Sequence, residues 1–429
     1  MKLIIEPKIT EYEELSKRPE LDYTSLEAKV AEIFSVVKLQ GDQALKQFAE
    51  KFDSVSIDEL IVSPEEIKEA ILSVSEELKQ AIDTAKSNIE KFHNAQMEDF
   101  GVIETMPGVN CWRKSVGIEK VGIYIPGGTA PLFSTVLMLA VPAKLAACKE
   151  IVLCTPPNKE GKINPAILYA ADLCGVKTIV KAGGAQAIAA MTFGTESVIK
   201  VNKIFGPGNQ YVTSAKQMST RYGIAIDMPA GPSEVLVYAD DSCEPEFVAA
   251  DLLSQAEHGN DSQVILVCSN QTIAKNVERE LKIQLEVLAR KNFASNSLEN
   301  SKTIIISEQQ NAIEFINYYA PEHLILACSE ASLLAEQISN AGSVFIGNYT
   351  PESAGDYASG TNHTLPTNGY ARNYSGVSLD SFVKKITFQE ITPQGLKNIG
   401  RTIEVMAEAE ELTAHKNAVS IRLNKINNV

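Results

Sequence analysis

The sequence predicts an α/β protein that contains two parallel β-sheets. Short, almost continuously apolar runs alternate with longer stretches of helical spacing over most of the 429 residues. Such runs are typical of strands that are buried on both faces, as in a parallel sheet covered by helices. Several of them lead through a glycine-containing turn directly into a helix. We therefore expect two Rossmann-like parallel-sheet domains with small N-terminal and C-terminal extensions.

The first hundred residues are predicted to be helical. Apolar residues recur at i, i+3 and i+4 in residues 25–50 and 63–93. The second stretch begins Ser63-Pro64-Glu65-Glu66, which supplies an N-cap, a proline in the first turn and early acids. Helices of this kind need a sheet to cover, and we expect them to cover the sheet that the chain forms after residue 233.

A repeated strand, turn and helix pattern begins at residue 121. Strands are predicted at 121–125, 151–154, 178–181 and 201–205, and helices at 132–148, 165–173, 187–191 and 210–220. Three turns carry paired glycines: Gly127-Gly128, Gly183-Gly184 and Gly206-x-Gly208. Ligands of parallel sheets bind at such turns, so a phosphate could lie there. Glycines also serve plain turn geometry, and the common nucleotide-binding glycine motifs are absent.

A second alternating region follows. Strands are predicted at 234–238, 263–268, 303–306, 324–328 and 343–346, and helices at 272–291, 311–318 and 333–338. Residues 348–377 are dominated by Gly, Ser, Asn, Thr and Tyr and read as a loop. Loops that long in a compact domain are usually functional or disordered, and we expect an ordered, functional one. A helix at 394–409 and a terminal amphipathic helix complete the chain.

Composition and charge exclude several classes of protein. The net charge of -15 argues against a nucleic-acid or anionic-membrane partner. No run reaches the roughly 18 consecutive apolar residues of a membrane span, and the acidic start is unlike a signal peptide. The seven cysteines are scattered and never form a C-x-x-C pair, which is typical of buried thiols in a reducing compartment. We expect a cytoplasmic protein.

Histidines carry the strongest chemical signal. Gln255 and His258 lie three residues apart near the end of a predicted helix, so both side chains project from one face as half of a metal site. The alternative is a polar stripe on which His258 interacts with the helix C-terminus. His323 stands beside Glu322 at the start of an apolar strand, and His363 lies in the long loop. His93 has no polar neighbours and reads as structural or solvated.

Five separated motifs together resemble the histidinol dehydrogenase family. They are Gly206-Pro207-Gly208-Asn209 and the strings at 254–259, 320–324, 355–366 and 414–418, in this order. The resemblance covers nearly the whole chain, with no departure at the motif positions. It implies the oxidation of L-histidinol to L-histidine through L-histidinal, with two NAD reduced and one Zn2+ per active site in a homodimer. These are the final steps of histidine biosynthesis.

The resemblance also assigns roles to individual residues. The zinc ligands would be Gln255, His258 and Asp356, with His415 of the partner subunit. The acid/base pair would be Glu322 and His323. The substrate would contact Ser233, His323, His363 and Glu410 as well as the four zinc ligands. NAD would contact Tyr124, Gln186 and Asn209.

These roles suggest a domain organisation. Residues 1–20 would form an N-terminal extension, and 21–119 with 233–376 would form the first α/β domain, which carries the metal site. Residues 120–232 would form the second, NAD-binding α/β domain, and 377–429 a helical tail that reaches the partner subunit. The acid/base pair also predicts a local backbone conformation. Adjacent residues of a regular strand or helix do not share a face, so residues 320–323 must have irregular backbone, which Pro321 favours.

Two other functions fit parts of the sequence. A zinc-dependent hydrolase of a small amine or amide could use the Gln, His and Asp ligands with Glu322 as base, but it would have no need of the glycine-rich α/β half. It would also produce no reduced nicotinamide. A binding protein with two α/β lobes is the other alternative, and it gives no reason for Glu322 to stand beside His323. Replacing either residue should leave the ligand affinity of such a protein nearly intact.

Overall fold

The computed structural model describes residues 1–18, 23–98, 100–127, 131–229 and 231–428. Its contacts define two compact units. Unit 1 comprises Met1–Ala95 and Ile118–Phe382, and unit 2 comprises Gln96–Gly117 and Val383–Val429. Over the described residues, every helix is too short or too polar to cross a membrane.

The strands and helices are as follows. The strands are β1 (Lys2–Ile5), β2 (Val102–Met106), β3 (Val109–Gly117), β4 (Lys120–Tyr124), β5 (Glu150–Thr155), β6 (Thr178–Lys181), β7 (Lys203–Phe205), β8 (Ala225–Ile226), β9 (Glu234–Ala239), β10 (Gln263–Cys268), β11 (Lys302–Ile305), β12 (His323–Ala327), β13 (Ser343–Ile346) and β14 (Val383–Ile391). The helices are α1 (Tyr12–Leu15), α2 (Tyr23–Gln40), α3 (Asp42–Phe48), α4 (Pro64–Ser73), α5 (Glu76–Asn94), α6 (Phe133–Leu145), α7 (Pro165–Leu173), α8 (Gly184–Phe193), α9 (Gln210–Ser219), α10 (Pro245–Ala256), α11 (Gln271–Val287), α12 (Lys291–Glu299), α13 (Gln309–Tyr319), α14 (Ala331–Ala335), α15 (Glu352–Tyr357), α16 (Pro393–Ala409) and α17 (Thr413–Asn427).

The larger sheet of unit 1 has six parallel strands in the order β1-β11-β10-β9-β12-β13. Its central strands are buried on both faces: Val235 and Val237 of β9 belong to one core, and Leu236 and Tyr238 to the core on the other face. In the pairing of β9 with β12, His323 stands opposite Val235. This register brings the N-terminal ends of the two strands together on the same side of the sheet.

The smaller sheet of unit 1 has five parallel strands in the order β6-β5-β4-β7-β8. The two parallel sheets confirm the predicted α/β class. The early helices pack differently from our expectation: Val30 and Phe34 of α2 share a core with Val152 and Val180 of this sheet. Helical periodicity shows that a face must be buried, but it does not specify which sheet buries it.

Unit 2 contains an antiparallel sheet in the order β14-β3-β2 and the helices α16 and α17. Trp112 of β3 stacks on Phe388 of β14 with ring centroids 5.4 Å apart. Strand β14 lies within residues 377–429, which we had described as a helical tail, and β1 within residues 1–20 pairs with β11. In both strands the long-range partner decides the conformation more than the local pattern does.

Candidate functional site

The end of helix α10 presents Gln255 and His258. The helix stops at Ala256, earlier than predicted, but the chain continues its turn because the His258 backbone N–H donates to the Gln255 carbonyl over 3.2 Å. Gln255 is only 1% exposed, and its Oε1 has no hydrogen-bond partner among the described residues. An amide oxygen that is buried without a partner is costly, which indicates that a ligand is meant to bind it.

Helix α15 supplies two carboxylates, of which the sequence analysis had predicted only one as a site residue. Residues 348–377, predicted as a loop, contain this short helix, with Pro351 as its N-cap. Glu352 and Asp356 lie four residues apart and therefore on one face. Glu352 is 1% exposed; its Oε2 accepts from the Ser254 hydroxyl over 2.7 Å, while its Oε1 has no hydrogen-bond partner within the described ranges. We had identified Asp356 but missed Glu352, although this i, i+4 pair of acids was a readable signal.

His258, Glu352 and Asp356 form a group that suits a divalent cation. One ligand atom from each lies within 4.8 Å of the other two. Burial raises the pKa of Glu352 and of Asp356, because a desolvated carboxylate resists ionisation. Desolvation lowers the pKa of the His258 imidazole and favours the neutral form that binds metals. Together with Gln255, this mixed nitrogen and oxygen set fits zinc.

The turn between α13 and β12 aims Glu322 and His323 into the same space. Ala320 has a left-handed backbone with φ 53°, which is uncommon for a residue other than glycine. The irregular backbone predicted for residues 320–323 is therefore present. The Glu322 Oε2 accepts from the Glu234 N–H over 2.8 Å, and the His323 Nδ1 lies 3.0 Å from the Glu234 carbonyl. Since a carbonyl oxygen only accepts, that Nδ1 carries a hydrogen.

The other nitrogen of His323 faces the cation-binding group. His323 is 3% exposed, and its Nε2 lies 3.9 Å from Glu352 Oε1 and 3.8 Å from Asp356 Oδ1. None of the residues that the structure describes forms a hydrogen bond with this nitrogen. Burial by itself would lower the pKa of His323, but the nearby carboxylates, first among them Glu322, outweigh it and raise that pKa to about 10. The proton is thus held by negative charge that a bound cation would offset.

His363 supports the site through both ring nitrogens. Its Nδ1 lies 2.9 Å from the Asp356 carbonyl oxygen, and its Nε2 lies 3.0 Å from the Thr135 hydroxyl. Burial lowers the pKa of this imidazole, so the neutral ring is favoured. His363 therefore holds the backbone of Asp356 in place.

A cleft of about 350 Å³ joins these groups to the glycine turn after β7. The unit 1 residues that we predicted and that line it are Ser233, Gln255, His258, Glu322, His323, Asp356, His363 and Asn209. Gly206 approaches β4 so closely that a Cβ there would lie 2.1 Å from the Tyr124 carbonyl oxygen. Its N–H donates to Asp227 and its carbonyl accepts from Lys216, each over 2.8 Å. The turn is therefore rigidly held against the cleft.

The three predicted NAD contacts differ in accessibility. Asn209 lines the cleft, but its side-chain oxygen caps α9 by accepting from the Tyr211 and Val212 N–H groups. Tyr124 and Gln186 are each only 3% exposed, and the Tyr124 hydroxyl accepts from the Gly184 N–H over 3.0 Å. The turn at Gly127-Gly128 lies partly outside the described residues, since Gly128 is not among them.

The last two predicted site residues belong to unit 2. Glu410 follows α16, and His415 lies in the first turn of α17. Both side chains are exposed. The fifth histidine, His93, is fully buried, with its Nδ1 2.8 Å from the Ile89 carbonyl, which fits the structural reading.

Comparisons with known proteins point to a single family. A family model described as histidinol dehydrogenase matches residues 16–423. A histidinol dehydrogenase of Bacteroides thetaiotaomicron is 60% identical over 426 residues, which are 99% of this chain and 100% of that protein. One of Haemophilus influenzae is 56% identical over 91% of each chain. The crystal structure of histidinol dehydrogenase from Elizabethkingia anophelis superposes with a TM-score of 0.98 at 58% identity, covering 100% of this chain and 99% of that one.

Proposed function

The chain belongs to the histidinol dehydrogenase family, an oxidoreductase family, and from this premise we propose that it oxidises L-histidinol to L-histidine through L-histidinal. The observation that carries the proposal is that His323 Nε2 lies 3.9 Å from Glu352 Oε1, while Gln255 lines the same cleft as His323. Gln255 Oε1, Glu352 Oε1 and His323 Nε2 are all buried, and none of them has a hydrogen-bond partner in the part of the chain that the structure describes. Beside a cation-binding group, they form a site prepared for a metal and a polar substrate.

The metal in this proposal is one zinc ion per site, held by Gln255, His258 and Asp356 with His415 of the partner subunit. Glu352 stands close enough to serve as a further oxygen ligand. When bound, zinc would orient the substrate as a Lewis acid and offset the negative charge that keeps His323 protonated. The tail contribution implies a homodimer that exchanges its C-terminal helices, and Glu410 would contact substrate from the same tail.

His323 acts as the base for the alcohol. Its Nδ1–H is anchored on the Glu234 carbonyl, so the neutral ring would carry its lone pair on Nε2, the nitrogen that faces the cation-binding group. It takes the hydroxyl proton as the C–H bond gives up its hydride and the C=O bond forms. The glycine turn at Gly206, with Asn209 nearby, would hold NAD, which would supply the hydride acceptor for each of the two oxidations.

Glu322 acts on the aldehyde. Its Oε2 is held by the Glu234 N–H, which leaves Oε1 available on the side of the cleft. Oε1 takes a proton from the water that adds to the aldehyde carbon. The hydrate anion that results loses its carbon-bound hydrogen as the second hydride, and its C–O⁻ bond becomes the C=O bond of the acid. Because the intermediate stays in the cleft between the two oxidations, the reactive aldehyde is kept from outside amines.

A turnover assay with L-histidinol and NAD tests the function. We expect two reduced NAD per histidinol, followed by the absorbance of the reduced nicotinamide, with zinc measured in the same sample. A hydrolase would give no such absorbance. The seven free cysteines suit a reducing compartment, and cytoplasmic location is part of the proposal.

Glu322→Gln tests the division of roles. The glutamine keeps an oxygen for the Glu234 N–H but cannot take a proton, so oxidation of supplied histidinal should slow by about 10²- to 10⁴-fold. Oxidation of histidinol to the aldehyde, followed in a single turnover, should slow much less. Equal losses in the two steps would refute this role of Glu322.

A further inference from the structure

A buried ion pair lies directly behind the acid/base residues. The Glu234 carboxylate accepts from Arg18 Nη2 over 2.8 Å and from Arg18 Nε over 3.2 Å, a two-point contact. The side chains are 9% and 1% exposed. The guanidinium lies 3.8 Å from the centre of the Tyr319 ring, which covers its face. Planar stacking and paired donors are properties of arginine that lysine does not reproduce.

The pair contacts three backbone segments that carry site residues. Arg18 Nη2 also donates to the Tyr319 carbonyl over 2.8 Å, at the peptide before the left-handed Ala320. Glu234 accepts from the Asn368 N–H, in the segment that follows His363. Glu234 itself begins β9, next to the start of β12. One ion pair thus joins the three segments that place Glu322, His323 and His363.

The backbone of Glu234 also makes the contacts that orient the acid/base pair. Its N–H holds the Glu322 carboxylate, and its carbonyl holds the His323 Nδ1–H. Any rotation at Glu234 would therefore move both groups. Burying two charges is expensive, and well-packed apolar residues of similar size often stabilise a fold as well or better. Stability alone is thus a weak explanation for this ion pair, whereas a need for fixed geometry at Glu234 explains it directly.

We propose that Arg18 and Glu234 are positioning residues for the oxidation, which fix the backbone of Glu234 and so aim His323 and Glu322 at the substrate. The inference rests on the proposed function, because it takes the acid/base roles of that pair as given. Neither side chain is among the described residues that line the cleft, and both act through the Glu234 and Tyr319 backbone. The same contact at Tyr319 holds the strained turn at Ala320 in its left-handed form.

The test compares Arg18→Met, Arg18→Lys and Glu234→Gln in the zinc-loaded enzyme. Methionine fills similar space without donors, lysine keeps the charge but loses the two-point contact, and glutamine keeps the shape of Glu234. We expect kcat for histidinol to fall about 10- to 100-fold in Arg18→Met. Losses of this size are typical for residues that hold a metal ligand or catalytic side chain in its orientation. Arg18→Lys should recover part of this loss. KM for NAD and zinc content should stay at the wild-type values.

A second readout separates positioning from stability. Misplaced groups slow the hydride transfer itself, so histidinol deuterated at the carbinol carbon should show a larger isotope effect in Arg18→Met than in the wild type. Urea unfolding gives the folded fraction under the assay conditions. The matched control is Glu66→Gln, which breaks a partly buried pair with Lys181 (2.6 Å) on the five-stranded sheet. It should leave kcat and the isotope effect unchanged.

The outcomes are distinct. Wild-type kcat and isotope effect in folded Arg18→Met would overturn the inference, and so would a loss of kcat that only follows the folded fraction. If Arg18→Met does not fold, Arg18→Lys decides: an intermediate kcat with unchanged KM for NAD supports positioning, and a wild-type kcat refutes it. Equal loss of the two oxidation steps in Glu322→Gln would instead refute the proposed function, whatever Arg18 does.

Discussion

Replacing Gly206 by alanine should damage the turn that faces the cleft. Its φ of 127° is a conformation that L side chains rarely adopt, and a Cβ would lie 2.1 Å from the Tyr124 carbonyl oxygen. Since real Cβ contacts stay above 3.0 Å, the turn and β4 must separate by about 0.9 Å (3.0 minus 2.1). The backbone conformation alone costs about 1–3 kcal/mol. A central value of about 2 kcal/mol corresponds to a roughly thirtyfold change in an equilibrium constant.

That free energy must appear either in stability or in the binding of NAD. The Gly206 N–H and carbonyl are both fixed by the buried Asp227 and Lys216 pair, so the turn cannot move without losing those contacts. We expect a lower urea midpoint for unfolding, a higher KM for NAD, or both. The two measurements are made on the same preparation, with KM for histidinol as an internal reference.

Gly223→Ala is the matched control for this prediction. Gly223 also has a positive φ, 79°, but no atom of the described residues lies within 4 Å of the added Cβ. The free energy of unfolding of this variant should fall by only about 1 kcal/mol, the cost of a left-handed backbone for alanine, and its KM for NAD should stay at the wild-type value. If Gly206→Ala lost no more stability than this control and kept its KM for NAD, the argument from close approach would be wrong.

Further predictions concern the metal, the tail and acid stability. His258→Asn and Glu352→Gln should each lower the zinc content of the protein. For Glu352→Gln we expect the affinity for zinc to fall by about 10- to 100-fold. A normal zinc stoichiometry in these variants would contradict the assigned group of ligands. A chain truncated before Glu410 should fold but be inactive, and mixing it with a Gln255→Ala variant should restore some activity; none after confirmed subunit exchange would show that the tail serves its own subunit. Asp240 is partly desolvated, which raises its pKa, but hydrogen bonds from two serines outweigh this and lower it. Its stabilisation is therefore present above an ordinary carboxyl pKa of about 4 and lost as the pH falls through the lower folded value, so the urea midpoint of Asp240→Asn should vary less with pH in that range.

The parts of the fold with strong local signals could be predicted from the sequence. Strands 263–268 and 343–346 have the predicted limits, because each is an apolar run between turn residues. Helix α15 was missed because six residues are too few for a periodic pattern. Strand β14 was missed because it is mostly exposed and depends on a partner some 270 residues earlier in the chain.

The candidate site shows the same division. Gln255, His258, Glu322, His323, Asp356 and His363 were recognisable from short motifs, and the structure brings them into one cleft. Arg18 and Glu234 carry no local signal, since they stand 216 residues apart and meet only in the folded chain. Tyr124 and Gln186 came from the family resemblance, and sequence does not reveal that both side chains are buried.

The shared attachment of Glu322 and His323 to a single residue of β9 limits how the site can evolve. A shift at Glu234 displaces the acid and the base by a common amount, so their spacing is preserved while their reach toward the substrate changes. Selection acting on the strand can therefore move the two groups only as a unit. Tuning one of them alone requires a change in its own side chain or in the charges around it.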